Sequence, residues 1–334
     1  MVNGVATGQI HLTEGRDGVE NVLHEGTPDK DDGPKVRVLS IDGGGVFGIV
    51  PAVFLARLEQ ILQEKLADPG ARLVDYIDFV SGSSIGGVIA SYIFFPEHLG
   101  SSQPKYTPAD AVDLMLNDPQ VWFNQNKQRT WKGLRHLCRG TRYGSKGLND
   151  RVHSIFSLEA PFYNGTLKPC LIPSYNLVTQ EAVFFHSDPD FHRAISAKHK
   201  RETILLDDVK FWQVMRSTVA APTFFEPGKV DATTSWGQDI TMYNIDGGVI
   251  ANDPSMLVLS EMFASEFSAD SGATWKPIGS HNMVVLSMGC GKSGTLRPKF
   301  RECGKSMAPA NAKNWGPMQW VTQLFAGLFE GGTI

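Results

Sequence analysis

Cysteine is scarce in this chain and scattered where it occurs. The four residues, Cys138, Cys170, Cys290 and Cys303, form no C-x-x-C pair, so reduced, mostly buried thiols are expected rather than a disulfide framework. No His/Cys cluster has ligand spacing, and neither a metal nor a cofactor is expected. Excess charge is also lacking. A net −4 over 334 residues offers no electrostatic footprint for nucleic acid. No run reaches the ~18 consecutive apolar residues of a membrane span, and the N-terminus lacks the basic-then-apolar form of a signal peptide. A cytoplasmic protein is the expectation. No internal repeat is visible. The stretch Met1 to Pro34 has few large apolar side chains and many Gly, Asp and Glu. It cannot bury enough surface to order itself and reads as a flexible acidic tail, residues 1–34.

From Lys35 onward the composition is that of a folded chain, with 42% hydrophobic residues overall, enough for a sizeable core. Two glycine-rich turns organise it. Asp42-Gly43-Gly44-Gly45-Val46-Phe47-Gly48 follows the apolar run Val36 to Ile41. Gly82-Ser83-Ser84-Ile85-Gly86-Gly87 follows Ile77 to Val80. Helical patterns come after each: Val50 to Leu66, with Pro51 in its first turn and Asp68-Pro69-Gly70 beyond its end, then Val88 to Phe95. Further on, the spacing predicts helical pieces at Ala109 to Leu116 and Trp131 to Cys138. Strands are expected at Pro169 to Tyr175, Ala182 to His186, Tyr243 to Ile245 and Met283 to Met288. Helices are expected at Val209 to Ala220 and Pro317 to Phe329. Strands alternating with helices argue for an α/β domain around a mostly parallel sheet, residues 35–334.

A strand that ends in glycines and opens a helix gathers backbone N–H groups and the helix dipole at one point. In the second turn, glycines two before and two after Ser84 make a G-x-S-x-G elbow, which lifts a serine hydroxyl clear of the backbone. Ser83 lacks that flanking, so Ser84 is the candidate nucleophile. The first turn alone, with Gly43, Gly45 and Gly48, fits a G-x-G-x-x-G dinucleotide fingerprint. The acidic residue that such a fold places after its second strand is absent. Paired with a serine elbow, the amides around Gly44 and Gly45 fit an oxyanion cradle instead.

A serine nucleophile needs a base. Asp246-Gly247-Gly248 follows the run Tyr243 to Ile245 and would present its carboxylate at the same sheet edge as Ser84, although an Asp-Gly pair is also an ordinary turn. A Ser84–Asp246–His281 triad would follow hydrolase order. His281, however, precedes the strand Met283 to Met288, at the opposite edge of a parallel sheet. A Ser–Asp pair survives this comparison.

The motifs Ser40-Ile41-Asp42-Gly43-Gly44-Gly45, Gly82-Ser83-Ser84-Ile85-Gly86-Gly87 and Asp246-Gly247-Gly248 resemble the three signatures of patatin-like lipid acyl hydrolases. Ser217-Thr218-Val219-Ala220-Ala221-Pro222-Thr223-Phe224-Phe225, Leu286-Ser287-Met288-Gly289 and Asn314-Trp315-Gly316-Pro317 continue the likeness. The resemblance implies a three-layer α/β/α fold, a Ser84–Asp246 catalytic dyad and an oxyanion hole from Gly43, Gly44 and Gly45. It also implies esterase action on membrane lipids, peripheral to the bilayer. An acyltransferase or thioesterase using the same dyad, or a non-catalytic lipid-binding or storage protein, are the alternatives. The family commonly has arginine where this chain has Phe47. An apolar ring there would favour neutral esters, or simply fill core space near Ile49 and Phe54. The run Lys127 to Lys146 holds seven basic residues, Arg135 and Arg139 among them, and no acid. It reads as a solvated face, an anionic-lipid contact, or a pocket for a phosphate-bearing regulator such as a cyclic nucleotide.

Overall fold

The computed structural model describes residues 36–117, 145–188, 208–234, 237–264, 266–267, 276–277 and 282–291. The expected tail, most of the basic run and the helices at Trp131 to Cys138 and Pro317 to Phe329 lie outside these residues.

Among the described residues, seven strands form the central sheet. Strand β1 (Val36–Ile41) lies between β2 (Phe79–Gly82) and β9 (Met283–Met288), and both pairings are parallel. Strand β3 (Cys170–Asn176) continues the parallel set beyond β2. The other members are antiparallel: β4 (Glu181–His186) on β3, and β5 (Gly228–Thr233) with β6 (Asp239–Ile245). Two short strands, β7 (Glu266–Phe267) and β8 (Lys276–Pro277), make a separate ladder.

Side-chain alternation divides the core. Val36, Val38, Phe79 and Leu171 point to one face, where they meet Val258 and Met262 of a helix, Ser255–Ala264. Leu39, Ile41, Val80 and Ile172 point to the other and pack with the larger set of helices. These are α1 (Ile49–Leu66), α2 (Ile85–Ile93), α3 (Pro108–Asn117), α4 (Ser145–Phe156) and α5 (Phe211–Thr218). A one-turn helix, α6 (Gly248–Ala251), precedes α7, the helix Ser255–Ala264. Helices thus cover both faces of the sheet, a three-layer α/β/α fold.

Some expectations shift. With the turn Gly45–Gly48, α1 forms a 22-residue stretch, Gly45–Leu66, long and apolar enough by length and composition to cross a membrane. The sequence reading found no such run, because isolated polar residues such as Arg57 and Glu59 interrupt it. Its buried side holds Pro51, Ala52, Leu55 and Glu59. Glu59 accepts the Leu73 N–H at 2.8 Å. Strand β2 starts at Phe79 rather than Ile77 and runs on through Gly82, opposite Ile41. Helix α2 therefore opens directly after Ser84.

The topology around β3 positions the site. Strand β4 pairs with β3 from Leu171 to Asn176 and so occupies one whole edge. The other edge is shared. Its first part pairs with β2 at Cys170 and Leu171, its last part with β6 at Tyr175 and Asn176. Because β2 and β6 run in opposite directions along that edge, their C-terminal ends meet head-on beside Ile172 to Ser174. Asp246 does emerge next to Ser84. It arrives from an antiparallel strand of a sheet expected to be mostly parallel.

Candidate active site

Ser84 caps the N-terminus of α2 with φ 51° and ψ −126°. This conformation is sparsely populated for a residue with a Cβ and costs on the order of 1–3 kcal/mol. Tight backbone packing enforces it. A Cβ at Gly82 would run into the Gly86 carbonyl, and one at Gly86 into the carbonyls of Ile41 and Asp42. Both flanking glycines of the elbow are thus required by close approach of the chain to itself.

The Ser84 hydroxyl donates to Asp246 Oδ2 at 2.7 Å. The other carboxylate oxygen, Oδ1, accepts the Gly248 N–H at 2.8 Å. Asp246 is fully buried. Burial pushes its carboxyl up to about 7, and the hydrogen bonds from Ser84 and Gly248 pull in the other direction. A carboxyl poised there can take a proton near neutral pH and return it.

The glycine cradle divides on inspection. The Gly43 N–H donates to the Asn252 carbonyl at 2.8 Å, and Asn252 Nδ2 donates back to the Gly43 carbonyl at 3.2 Å. Gly43 thus anchors the loop, with its amide bound within the chain. Gly44 packs against Cys290, where a Cβ would lie 2.5 Å from the cysteine Cβ. Gly45, with φ 55° and open space where a Cβ would be, borders the pocket. Asp42, also buried, is pushed up to about 7 by burial and by the charge of Asp253.

A pocket opens beside Ser84 and Asp246, walled by Val46, Ile85, Met115, Leu148, Val219 and Phe225, with Gly45 and Ala221 completing the lining. Among the described residues, Ser84 and Asp246 are the polar side chains of that lining. Val46, not Phe47, forms the wall. Phe47 is 42% exposed and does not fill core space.

His281 lies outside the described residues. Strand β9 begins with Met283 opposite Val36, so its N-terminal end is at the edge remote from Ser84. Among the described residues no cluster of His, Cys, Asp or Glu could hold a metal ion. Of the basic run, Lys146 is described, and its ammonium pairs with Asp150 at 2.6 Å.

Thr218 was legible only as part of a resembling motif. The structure places its Oγ1 within hydrogen-bond distance of the Ser84 amide, at 3.0 Å. A threonine near a helix end carries no sequence signal for such a contact.

Comparison with known proteins shows the family. The family model "Patatin-like phospholipase" matches residues 39–259. Patatin-like protein 2 of Oryza sativa subsp. indica is 29% identical over 293 residues, covering 86% of this chain and 66% of the relative. Patatin-like protein 1 of Arabidopsis thaliana is 30% identical over 296 residues, covering 86% and 65%. A potato relative named probable inactive patatin-3-Kuras 1 is 29% identical over 293 residues, covering 88% and 70%. The chain therefore spans about two thirds of the length of these relatives. A weaker likeness, TM-score 0.30 at 13% identity over 82% of this chain and 53% of the other, is to VipD from Legionella pneumophila. The family model covers more than half of the chain and takes in both the Ser84 elbow and Asp246, and the chain belongs to the patatin-like phospholipase family.

Proposed function

We propose that the protein is a serine lipid acyl hydrolase in which Ser84 and Asp246 act as a dyad. The observation that carries this reading is the 2.7 Å hydrogen bond from the Ser84 hydroxyl to a buried carboxylate at the floor of an apolar pocket. Ser84 Oγ attacks the ester carbonyl carbon as Asp246 takes its proton. The resulting oxyanion is held by the amides of Gly44 and Gly45. The three-glycine cradle expected from the sequence narrows to these two, since the Gly43 amide is bound to Asn252. The intermediate collapses, and the alcohol leaves with the proton from Asp246. Water, deprotonated by the same carboxylate, then cleaves the acyl-enzyme, freeing the fatty acid and restoring Ser84.

The apolar lining suits an acyl chain, each methylene contributing about 0.8 kcal/mol on burial. We place the substrate among membrane lipids at a bilayer surface, with the protein cytoplasmic and peripheral. A cyclic-nucleotide activator remains a proposal resting on the basic run alone.

The test is acid release from p-nitrophenyl esters and from vesicles of phospholipid or galactolipid, with Ser84→Ala as control. Release that depends on Ser84 is the expected result. An added alcohol acceptor that diverts most of the acyl group to a new ester would make the protein a transferase. Folded wild-type protein that turns over none of these esters would place it with the relatives named inactive.

A further inference from the structure

Thr218 closes α5 and is fully buried. Its hydroxyl is used twice. Oγ1 donates to the Pro173 carbonyl at 2.9 Å and accepts the Ser84 N–H at 3.0 Å. The Thr218 carbonyl accepts the Gly247 N–H at 3.1 Å. Two residues further on, the Ala220 carbonyl accepts the Asp246 N–H, also at 3.1 Å. Pro173 belongs to the short length of β3 where β2 and β6 meet end to end. One side chain and its carbonyl therefore touch all three pieces of chain that converge there.

The neighbouring residue shows that this is not what a helical hydroxyl does by default. Ser217 donates back to the Gln213 carbonyl of its own helix at 2.8 Å, the ordinary habit of such residues. Thr218 reaches off the helix instead. A hydroxyl has one proton and two acceptor lone pairs. With the proton directed at Pro173, a lone pair is left for the Ser84 amide. That amide belongs to the residue held at φ 51°, a conformation that persists only when its surroundings over-determine it.

We infer that Thr218 is a positioning residue: its hydroxyl holds the Ser84 amide so that Oγ faces Asp246 and the ester carbon together. The inference rests on Ser84 being the nucleophile of the proposed hydrolysis. Thr218 touches neither substrate nor reacting atoms. It acts through the backbone of Ser84 and keeps the two loops in register.

Two substitutions separate its groups. Thr218→Val keeps a methyl beside Gly87, where a Cβ would lie 3.3 Å from Thr218 Cγ2, and removes the hydroxyl. Thr218→Ser keeps the hydroxyl and removes the methyl. On a soluble p-nitrophenyl ester, Thr218→Val should lower kcat about 100-fold, the scale of a misplacement near 1 Å, with KM changed less than two-fold. The rate at which a fluorophosphonate labels Ser84 should fall in parallel. Thr218→Ser should stay within about three-fold of wild type in both measurements. A folded valine variant that keeps its kcat, or a serine variant that loses as much as the valine one, would overturn the assignment. Should the valine variant not fold, Thr218→Ala measured against Thr218→Ser gives the same comparison. Wild-type protein that neither hydrolyses the ester nor accepts the label would refute the hydrolase reading itself, a result separate from any difference among the variants.

Discussion

Ser83 and Ser84 are consecutive residues, yet only the second directs its hydroxyl at a carboxylate. The Ser84 Oγ donates to Asp246, whereas Ser83 Oγ is buried without a hydrogen-bond partner among the described residues, on the side of Gly247, 3.0 Å from where a Cβ there would stand. Ser84→Ala and Asp246→Ala should each abolish ester hydrolysis, and the double variant should be no worse than either, because the pair acts as a unit. Ser83→Ala should keep the rate within a few-fold. Label recovered on Ser83, or a Ser84→Ala protein with most of its activity, would break this assignment.

The second prediction concerns pH. Asp246 accepts a proton only when ionised, and its carboxyl is pushed up to about 7. The rate on a neutral soluble ester should thus be low in acid and rise to a plateau, with its midpoint near 7. Asp42 is also pushed up to about 7, but the carboxylate that accepts the Ser84 hydroxyl is Asp246. Asp42→Asn should leave the midpoint in place. If the limb moves or vanishes in that variant, Asp42 is the group that titrates.

The same carboxyl bears on stability. Its folded value lies above the ordinary value near 3.9, so the folded state binds the proton more tightly than the unfolded one. The contribution to stability is present in full below about pH 4 and is lost as pH rises through about 7. Asp246→Asn removes that loss along with the activity. The variant should gain on wild type by on the order of 2 kcal/mol between pH 5 and pH 8, read from denaturant midpoints with equal m-values. A gap that narrows towards pH 8 would contradict the sign.

Acyl selectivity should follow the pocket wall. Ala221 lines the pocket and is partly exposed, so Ala221→Phe fills space without replacing a core side chain. The variant should lose kcat/KM at least about ten-fold on a long-chain p-nitrophenyl ester, since two lost methylene burials amount to about 1.6 kcal/mol. Activity on the acetate should hardly change. Equal losses on both esters would mean that the chain lies elsewhere.

How much of this could be read from the residues depends on range. The two glycine turns are local signals: a strand, a tight bend and a helix within about ten residues, and the structure places them where expected. Helix α4 was missed because its apolar residues, Leu148, Val152, Ile155 and Phe156, are sparse among polar neighbours, though their spacing is helical. Strand β5 was missed although Lys229 and Asp231 alternate with the buried Val230 and Ala232, because two apolar side chains are too few to carry the period-2 signal. The direction of β6 was not legible at all. Nothing within Asp239–Ile245 says whether its partner runs parallel or antiparallel, so the route by which Asp246 reaches Ser84 was not legible. The tie between Gly43 and Asn252 is equally non-local, and the amide it removes from the cradle could not be foreseen.

The meeting of β2 and β6 on one edge of β3 also sets when the site can exist. Ser84 and Asp246 are 162 positions apart, and their contact needs β3 flanked at both ends. Bringing such distant segments together carries the loop-closure entropy that slows folding in chains of non-local topology. The elbow alone can form early, from neighbouring residues. The hydrogen bond to Asp246 cannot precede the docking of β6. During refolding, helical circular dichroism should return before Ser84 becomes reactive, so a half-assembled chain would hold the proposed nucleophile without its proposed base.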